Sequence, residues 1–246
     1  MHIKRWVINP PITPQADEAL VKFPPILKQI LFNRGMANYD ESRAFLQAVP
    51  SFDTDPFQLT GMTATVDRIQ YAIRHNEPVA IYGDYDVDGV TATALLVDAL
   101  KGLGANVRHY IPNRFDEGYG LNTDALDSLK AEGVKLVITV DCGIRSPNEA
   151  LHAQTIGLDL IISDHHHPEA VRADGHPPLP PAFAVINPKQ HGDCYPDKFL
   201  AGVGIAYKIA EALAQKANGQ ASSLHLAGLL DLVALGTVAD LAPLVG

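Results

Sequence analysis

Aspartate recurs at every second position through Gly83-Asp84-Tyr85-Asp86-Val87-Asp88-Gly89, and acids return in Asp141-Cys142-Gly143, in Asp164-His165-His166-His167 and, alone in an apolar run, at Asp240. If these segments meet, unpaired carboxylates repel one another and protonate unless cations sit among them. Carboxylates joined by imidazole therefore point to a divalent metal centre. With only Cys142 and Cys194 in the chain, a thiolate cage is excluded, so the ligands must be oxygen and nitrogen.

Simpler readings account for single residues but not for the set. Asp88 or Asp164 alone could be a helix N-cap, yet one helix needs one cap and Asp84, Asp86 and Asp88 exceed that need. The trio with Gly89 matches the start of an EF-hand loop, but Leu95 stands where a bidentate Glu is required. Asp164 reads as the carboxylate that fixes the tautomer of a neighbouring imidazole rather than as a ligand. Cys142 reads as a small packed residue, since nearby carboxylates raise a thiol's pKa. Asp240 is balanced between a turn-forming side chain and a site residue.

These residues need a scaffold that delivers them to one edge. β-rich runs begin at Val79, Val107, Lys135 and Leu158, hence 28, 28 and 23 residues apart, with a weaker run from Ala184 to Asn187. Helical patterns fill the intervals at Gly89–Leu103, Asn122–Glu132 and Ser146–Ile156, each stopped by a glycine at 104, 133 and 157. Such alternation predicts an α/β fold, a doubly wound and mainly parallel sheet with helices on both faces. The acidic motifs then follow the first, third and fourth strands of that sheet, at the edge where such folds bind ligands. Further helices are expected at Val203–Ala217 and Ser222–Leu235.

The expected organisation is a helical lead-in over 1–60, with helices from Pro24-Pro25 to Phe32 and from a cap at Asp40 to Ala48, a turn-rich link at Pro50–Thr60, and one α/β domain over 61–246. A Pro/Gly-rich loop is expected at Asp174–Pro181. Across 246 residues, 47% are hydrophobic and 19% charged, which excludes disorder and coiled coil for the whole chain. The sequence predicts neither a secretory leader nor a membrane span, and the cysteine usage fits a cytoplasmic setting. The net charge of -9 argues against a general nucleic-acid binder, so any nucleic-acid path must be local.

Taken in order, GDYDVDG at 83–89, VDCG at 140–143, SDHH at 163–166 and GTVADLAPL at 236–244 resemble the four motifs of the DHH phosphoesterase superfamily. The closest resemblance is to its single-strand-specific 5′ to 3′ DNA exonuclease branch. That likeness extends to Asn33-Arg34-Gly35, Ile111–Arg114, Gly118–Leu121 and Leu200–Gly204. It implies two ions, Mn²⁺ or Mg²⁺, one held by Asp84, Asp86 and Asp141 and the other by Asp88, Asp141, His165 and Asp240. Asp141 would bridge them and His166 would face the phosphate. The implied reaction is hydrolysis of single-stranded DNA in repair and recombination, beside a single-strand-binding protein and a helicase. Arg114 and Arg145 are the expected phosphate contacts.

Family members continue into further domains after the fourth motif, which are absent from these residues. Other readings are a DHH phosphodiesterase acting on short RNA, cyclic dinucleotides or pyrophosphate, a catalytically inactive replication scaffold, and a phosphatase with an aspartate nucleophile in Asp86-Val87-Asp88. The expected ligands are all present, which disfavours the scaffold.

Overall fold

The computed structural model describes residues 7–47, 54–113, 115, 118, 120–169, 179–217 and 225–244. The chain divides into two compact units, Met1–Asp53 and Thr54–Val245. The first contains helices α1 (Pro14–Ala19), α2 (Pro25–Asn33) and α3 (Tyr39–Leu46), with Leu20 and Leu31 buried. Proline opens α1 and α2, where its missing N–H and fixed φ cost nothing. The cap of α3 is Asn38, whose side chain accepts from the N–H of Glu41, so Asp40 lies inside the helix instead of capping it. That helix ends at Leu46, and Ala48 lies outside the described residues.

The second unit opens with a 3₁₀ turn at Pro56–Gln58 and helix α4 (Met62–Arg74). There follow β1 (Val79–Gly83), α5 (Val87–Gly102), β2 (Val107–Tyr110), α6 (Thr123–Ala131), β3 (Leu136–Val140), α7 (Pro147–Thr155), β4 (Asp159–Ser163), β5 (Ala184–Ile186), α8 (Gly202–Lys216) and α9 (Leu230–Ala239). All pairings are parallel, in the order β2-β1-β3-β4-β5. The expected doubly wound fold is therefore what forms. Glycines 104, 133 and 157 stand at φ of 81°, 88° and 66°, the left-handed stops that let the chain leave each helix for the next strand.

Side chains alternate across the sheet, as a period of two requires. Val79, Ile81, Leu136, Ile138 and Val140 join Val66, Leu96 and Ile209 in one core, against α4, α5 and α8. Ala80, Tyr82, Val137, Leu160 and Ile162 join Leu126, Leu129 and Ala153 in the other, against α6 and α7. Every residue of β1 and β3 is buried, so these central strands are rigid mounts for whatever follows them.

Two further points of the sequence reading differ in detail. Helix α4 was not anticipated. The stretch expected as one helix over Ser222–Leu235 is a 3₁₀ turn at Leu226–Leu229 followed by α9, with 222–224 outside the described residues. Most of the Pro/Gly-rich loop, residues 174–178, also lies outside them.

Candidate active site

Because β2 lies on one side of β1 and β3 on the other, the connections leaving β1 and β3 diverge and open a crevice at their carboxyl ends. Asp84 follows β1 there, Asp141 follows β3, and Asp164 follows β4. All three are buried, at 2%, 1% and 1% exposure. Asp141 has φ of +64°, a left-handed conformation that an L-residue adopts at a cost and that Asp and Asn tolerate best. It turns the chain sharply off the sheet.

The alternating acids of the first motif serve different purposes. Asp86 is exposed and caps α5, its Oδ1 accepting from the N–H of Gly89 at 2.9 Å. Asp88 caps a helix too, but a distant one. Its Oδ2 and Oδ1 accept from the N–H groups of Gly202 (2.6 Å) and Val203 (2.9 Å), the free amino end of α8, which has no side-chain cap of its own. A carboxylate on these amides satisfies orphaned donors and offsets the helix dipole. A Cβ on Gly202 would stand 2.7 Å from the Cβ of Asp141, so glycine there lets α8 approach both acids.

His165 is buried, with Nε2 3.0 Å from Asp141 Oδ1 and 3.7 Å from Asp88 Oδ2, and Nδ1 3.9 Å from Asp240 Oδ2. Asp240 reaches it from the C-cap of α9. Although Nε2 and Oδ1 lie close, neither has a partner in hydrogen-bonding geometry. Two buried polar atoms that face each other without bonding are costly by themselves, and suit a shared cation that both approach. His166 differs: Asp164 Oδ1 accepts from its Nδ1 at 2.8 Å and from its backbone N–H at 3.0 Å, leaving Nε2 as the remaining ring donor. Asp164 thus orients His166, and its other oxygen accepts the N–H of Ile144 rather than capping a helix.

Charge follows this geometry. Burial, reinforced by Asp88, Asp86 and Asp164, drives the Asp141 carboxyl up to about 10. Burial also raises Asp84 and Asp88 and lowers His165. The hydrogen bond that His166 donates to Asp164 lifts its imidazole to about 9, so the ring is cationic at neutral pH. Burial opposes ionisation of Asp164, but the hydrogen bonds and charge of His166 outweigh it and hold that carboxyl low. Cys142 packs in the core with its thiol pushed up by burial, as its reading as a packed residue expected.

Three sets of ligand atoms lie within 4.8 Å of one another: Asp84, Asp86 and Asp141; Asp88, His165 and Asp240; and Asp141, His165 and His166. The structure therefore gathers Asp84, Asp86, Asp88, Asp141, His165, His166 and Asp240 at one edge, with Asp141 in two of the sets. Arg145 is exposed, and its Nε donates to the carbonyl of His167 at 2.8 Å, tethering the histidine loop. Arg114 lies outside the described residues. Sequence reasoning missed Gly202; a helix that begins on Ala-Gly-Val with no capping side chain is the signal that its cap comes from elsewhere.

A parallel sheet carrying a DHH run and three further acidic motifs at its carboxyl edge defines a class. The model of the DHH family, N-terminal domain, matches residues 78–237, and the chain belongs to that family. Within it, the chain is 43% identical to the single-stranded-DNA-specific exonuclease RecJ of Bacillus subtilis, over 98% of this chain and 29% of that protein. Among solved structures it resembles exonuclease RecJ bound to manganese, with 34% identity, a TM-score of 0.66, and 76% of this chain and 45% of that one covered. It also resembles the RecJ of Thermus thermophilus in complex with Mn²⁺, with 27% identity, a TM-score of 0.71, and coverage of 94% and 31%. The chain spans less than half the length of these relatives.

Proposed function

We propose that this chain is the catalytic part of a metal-dependent exonuclease that hydrolyses single-stranded DNA from the 5′ end, in repair and recombination. The observation that carries the reading is the buried, unbonded pair of Asp141 Oδ1 and His165 Nε2 where three ligand sets meet. Asp84, Asp86 and Asp141 would hold one ion; Asp88, Asp141, His165 and Asp240 the other. Mainly carboxylate ligation with one imidazole suits Mn²⁺ or Mg²⁺, the imidazole favouring Mn²⁺. When bound, such a pair activates water and neutralises charge on a phosphodiester. The RecJ relatives, named as single-stranded-DNA-specific exonucleases and solved with Mn²⁺ or Mg²⁺, support this assignment.

The chain's own contribution is preorganisation. Cationic His166, its Nδ1 engaged by Asp164, presents Nε2–H to a phosphate oxygen and stabilises the charge that develops there. Asp88, clamped by α8, stays fixed as ligands assemble. Arg145 and Arg114 meet phosphates along the strand. A single-strand-binding protein and a helicase are the proposed partners, and the cytoplasm the proposed setting; among the described residues no helix is long and apolar enough to cross a membrane.

Digestion of 5′-labelled and 3′-labelled single-stranded DNA with Mn²⁺ tests the reading. Mononucleotide release from the 5′ end alone, abolished by chelation, is expected; release from the 3′ end, or none with both ions bound, overturns it. Gly202→Ala provides a second test. The added methyl must push α8 away from Asp141 and lengthen both hydrogen bonds to Asp88, so Mn²⁺ affinity is expected to fall by roughly 10- to 100-fold, as for other changes behind metal ligands. Wild-type affinity by calorimetry would refute the clamp.

A further inference from the structure

Strand β5 ends at Ile186, and the residue that follows, Asn187, is fully buried. Its Nδ2 donates to the carbonyl of His166 at 2.9 Å, and its Oδ1 accepts from the N–H of Lys189 at 2.8 Å. A buried amide engaged at both ends has one orientation, because rotating it would leave a donor facing a donor and an acceptor facing an acceptor. One residue earlier, the Ile186 carbonyl accepts the N–H of Asp164 at 3.1 Å. The end of β5 therefore grips the histidine loop on both sides of His165.

His166 is consequently held from two sides, by Asp164 through its ring and its backbone N–H and by Asn187 through its carbonyl. Either restraint alone leaves freedom: the Asp164 bonds fix the ring and the amide side of His166 but permit the following peptide, which carries its carbonyl, to rock, and the Asn187 bond permits the ring to rotate. We infer that Asn187 is a positioning residue for phosphodiester hydrolysis, holding the His166 main chain so that its imidazole meets the scissile phosphate. It touches neither substrate nor ion. The inference rests on the proposed role of His166, and it concerns that residue rather than the metal ligands.

Asn187→Asp separates the two bonds of the side chain. It preserves size and the acceptor for Lys189, and replaces the donor to His166 by an oxygen that repels the carbonyl. Displacement of a catalytic group by about 1 Å costs roughly 100-fold in rate. The test is a cycle of wild type, N187D, H166A and the double variant, assayed by single-turnover cleavage of 5′-labelled single-stranded DNA with enzyme in excess. Mn²⁺ stoichiometry and affinity are measured in parallel by calorimetry.

The expected result is a loss of about 100-fold in N187D with Mn²⁺ binding unchanged, and a double variant no slower than H166A, since a residue acting through His166 has nothing left to position. Multiplying losses, a fall in Mn²⁺ occupancy, or a wild-type rate in N187D beside a slow H166A overturns the inference alone. A wild-type rate in H166A removes the role of His166 and this inference with it. Should N187D fail to fold, Asn187→Ser enters the same cycle.

Discussion

Asp141→Asn is expected to abolish metal-dependent hydrolysis, lowering the single-turnover rate by at least about 10³-fold, or roughly 4 kcal/mol of transition-state stabilisation. The residue shares a ligand set with Asp84 and Asp86, proposed for one ion, and its Oδ1 lies 3.0 Å from Nε2 of His165, a ligand proposed for the other, so its loss should weaken both proposed ion positions where loss of Asp86 or Asp240 would weaken one. Asparagine is the informative replacement because position 141 has φ of +64°, which Asn accepts readily. Asp141→Ala should be equally inactive, but it adds backbone strain of about 1–2 kcal/mol, so loss of fold would confuse its reading. In the metal-free state Asp141→Asn should be at least as stable as wild type. It removes a buried carboxyl that Asp88, Asp86 and Asp164 already make reluctant to ionise. Stability is read by thermal melts in chelator, and ion count by calorimetry. A wild-type rate with unchanged Mn²⁺ stoichiometry would sink the assignment of the site.

What the sequence disclosed follows from how local each signal was. Strands β1, β3 and β4 showed themselves through largely apolar, buried runs, because parallel strands covered on both faces have few polar alternatives, whereas the half-exposed β2, with Arg108 and His109, was legible mainly through its regular spacing and the glycine stops at 104, 133 and 157. Helix α4 stayed hidden because Thr63, Thr65, Val66, Ile69 and Ile73 are β-branched and Gly61 at its N-cap offers no side chain. Burial of Met62, Val66, Ile69 and Ala72 decides for helix, and burial is a tertiary fact. The acids and histidines of the site were all legible as types at strand ends. Their division of labour was not: the cap of α5 is Asp86, while Asp88 serves α8 across 114 residues of sequence. Asn187 likewise reads as the end of a weak strand until β5 is placed beside β4 and its amide is seen to meet His166.

The second large effect links stability, pH and metal. For an acid whose folded pKa is raised, the folded state keeps a proton that the unfolded state has released, so stability falls as pH rises through the interval between the two values. For Asp141 that interval runs from 3.8 to about 10. His166, raised from 6.5 to about 9, acts in the same direction over its own interval, since its extra stability is fully present below 6.5 and lost towards 9. His165 and Asp164 are lowered, so their opposite contributions arise as pH rises to 6.5 and 3.8 respectively and are complete by neutrality. Between pH 7 and 9 the metal-free chain is therefore expected to lose stability steadily. One displaced proton corresponds to about 1.4 kcal/mol per pH unit, or roughly 3–6 °C in melting temperature for a chain of this size. A bound cation takes the place of the proton on Asp141, so with saturating Mn²⁺ the slope should flatten and the gap between loaded and metal-free melting curves should widen with pH. Mn²⁺ affinity should rise over the same range by up to about tenfold per unit for each proton released. Melting temperatures at half-unit steps from pH 6.5 to 9, with Mn²⁺ and with chelator, decide the matter. A metal-free chain whose stability is flat or rising over that range would show that Asp141 is ionised without a cation, and that the crowding of carboxylates around it does not create the demand for metal on which the site depends.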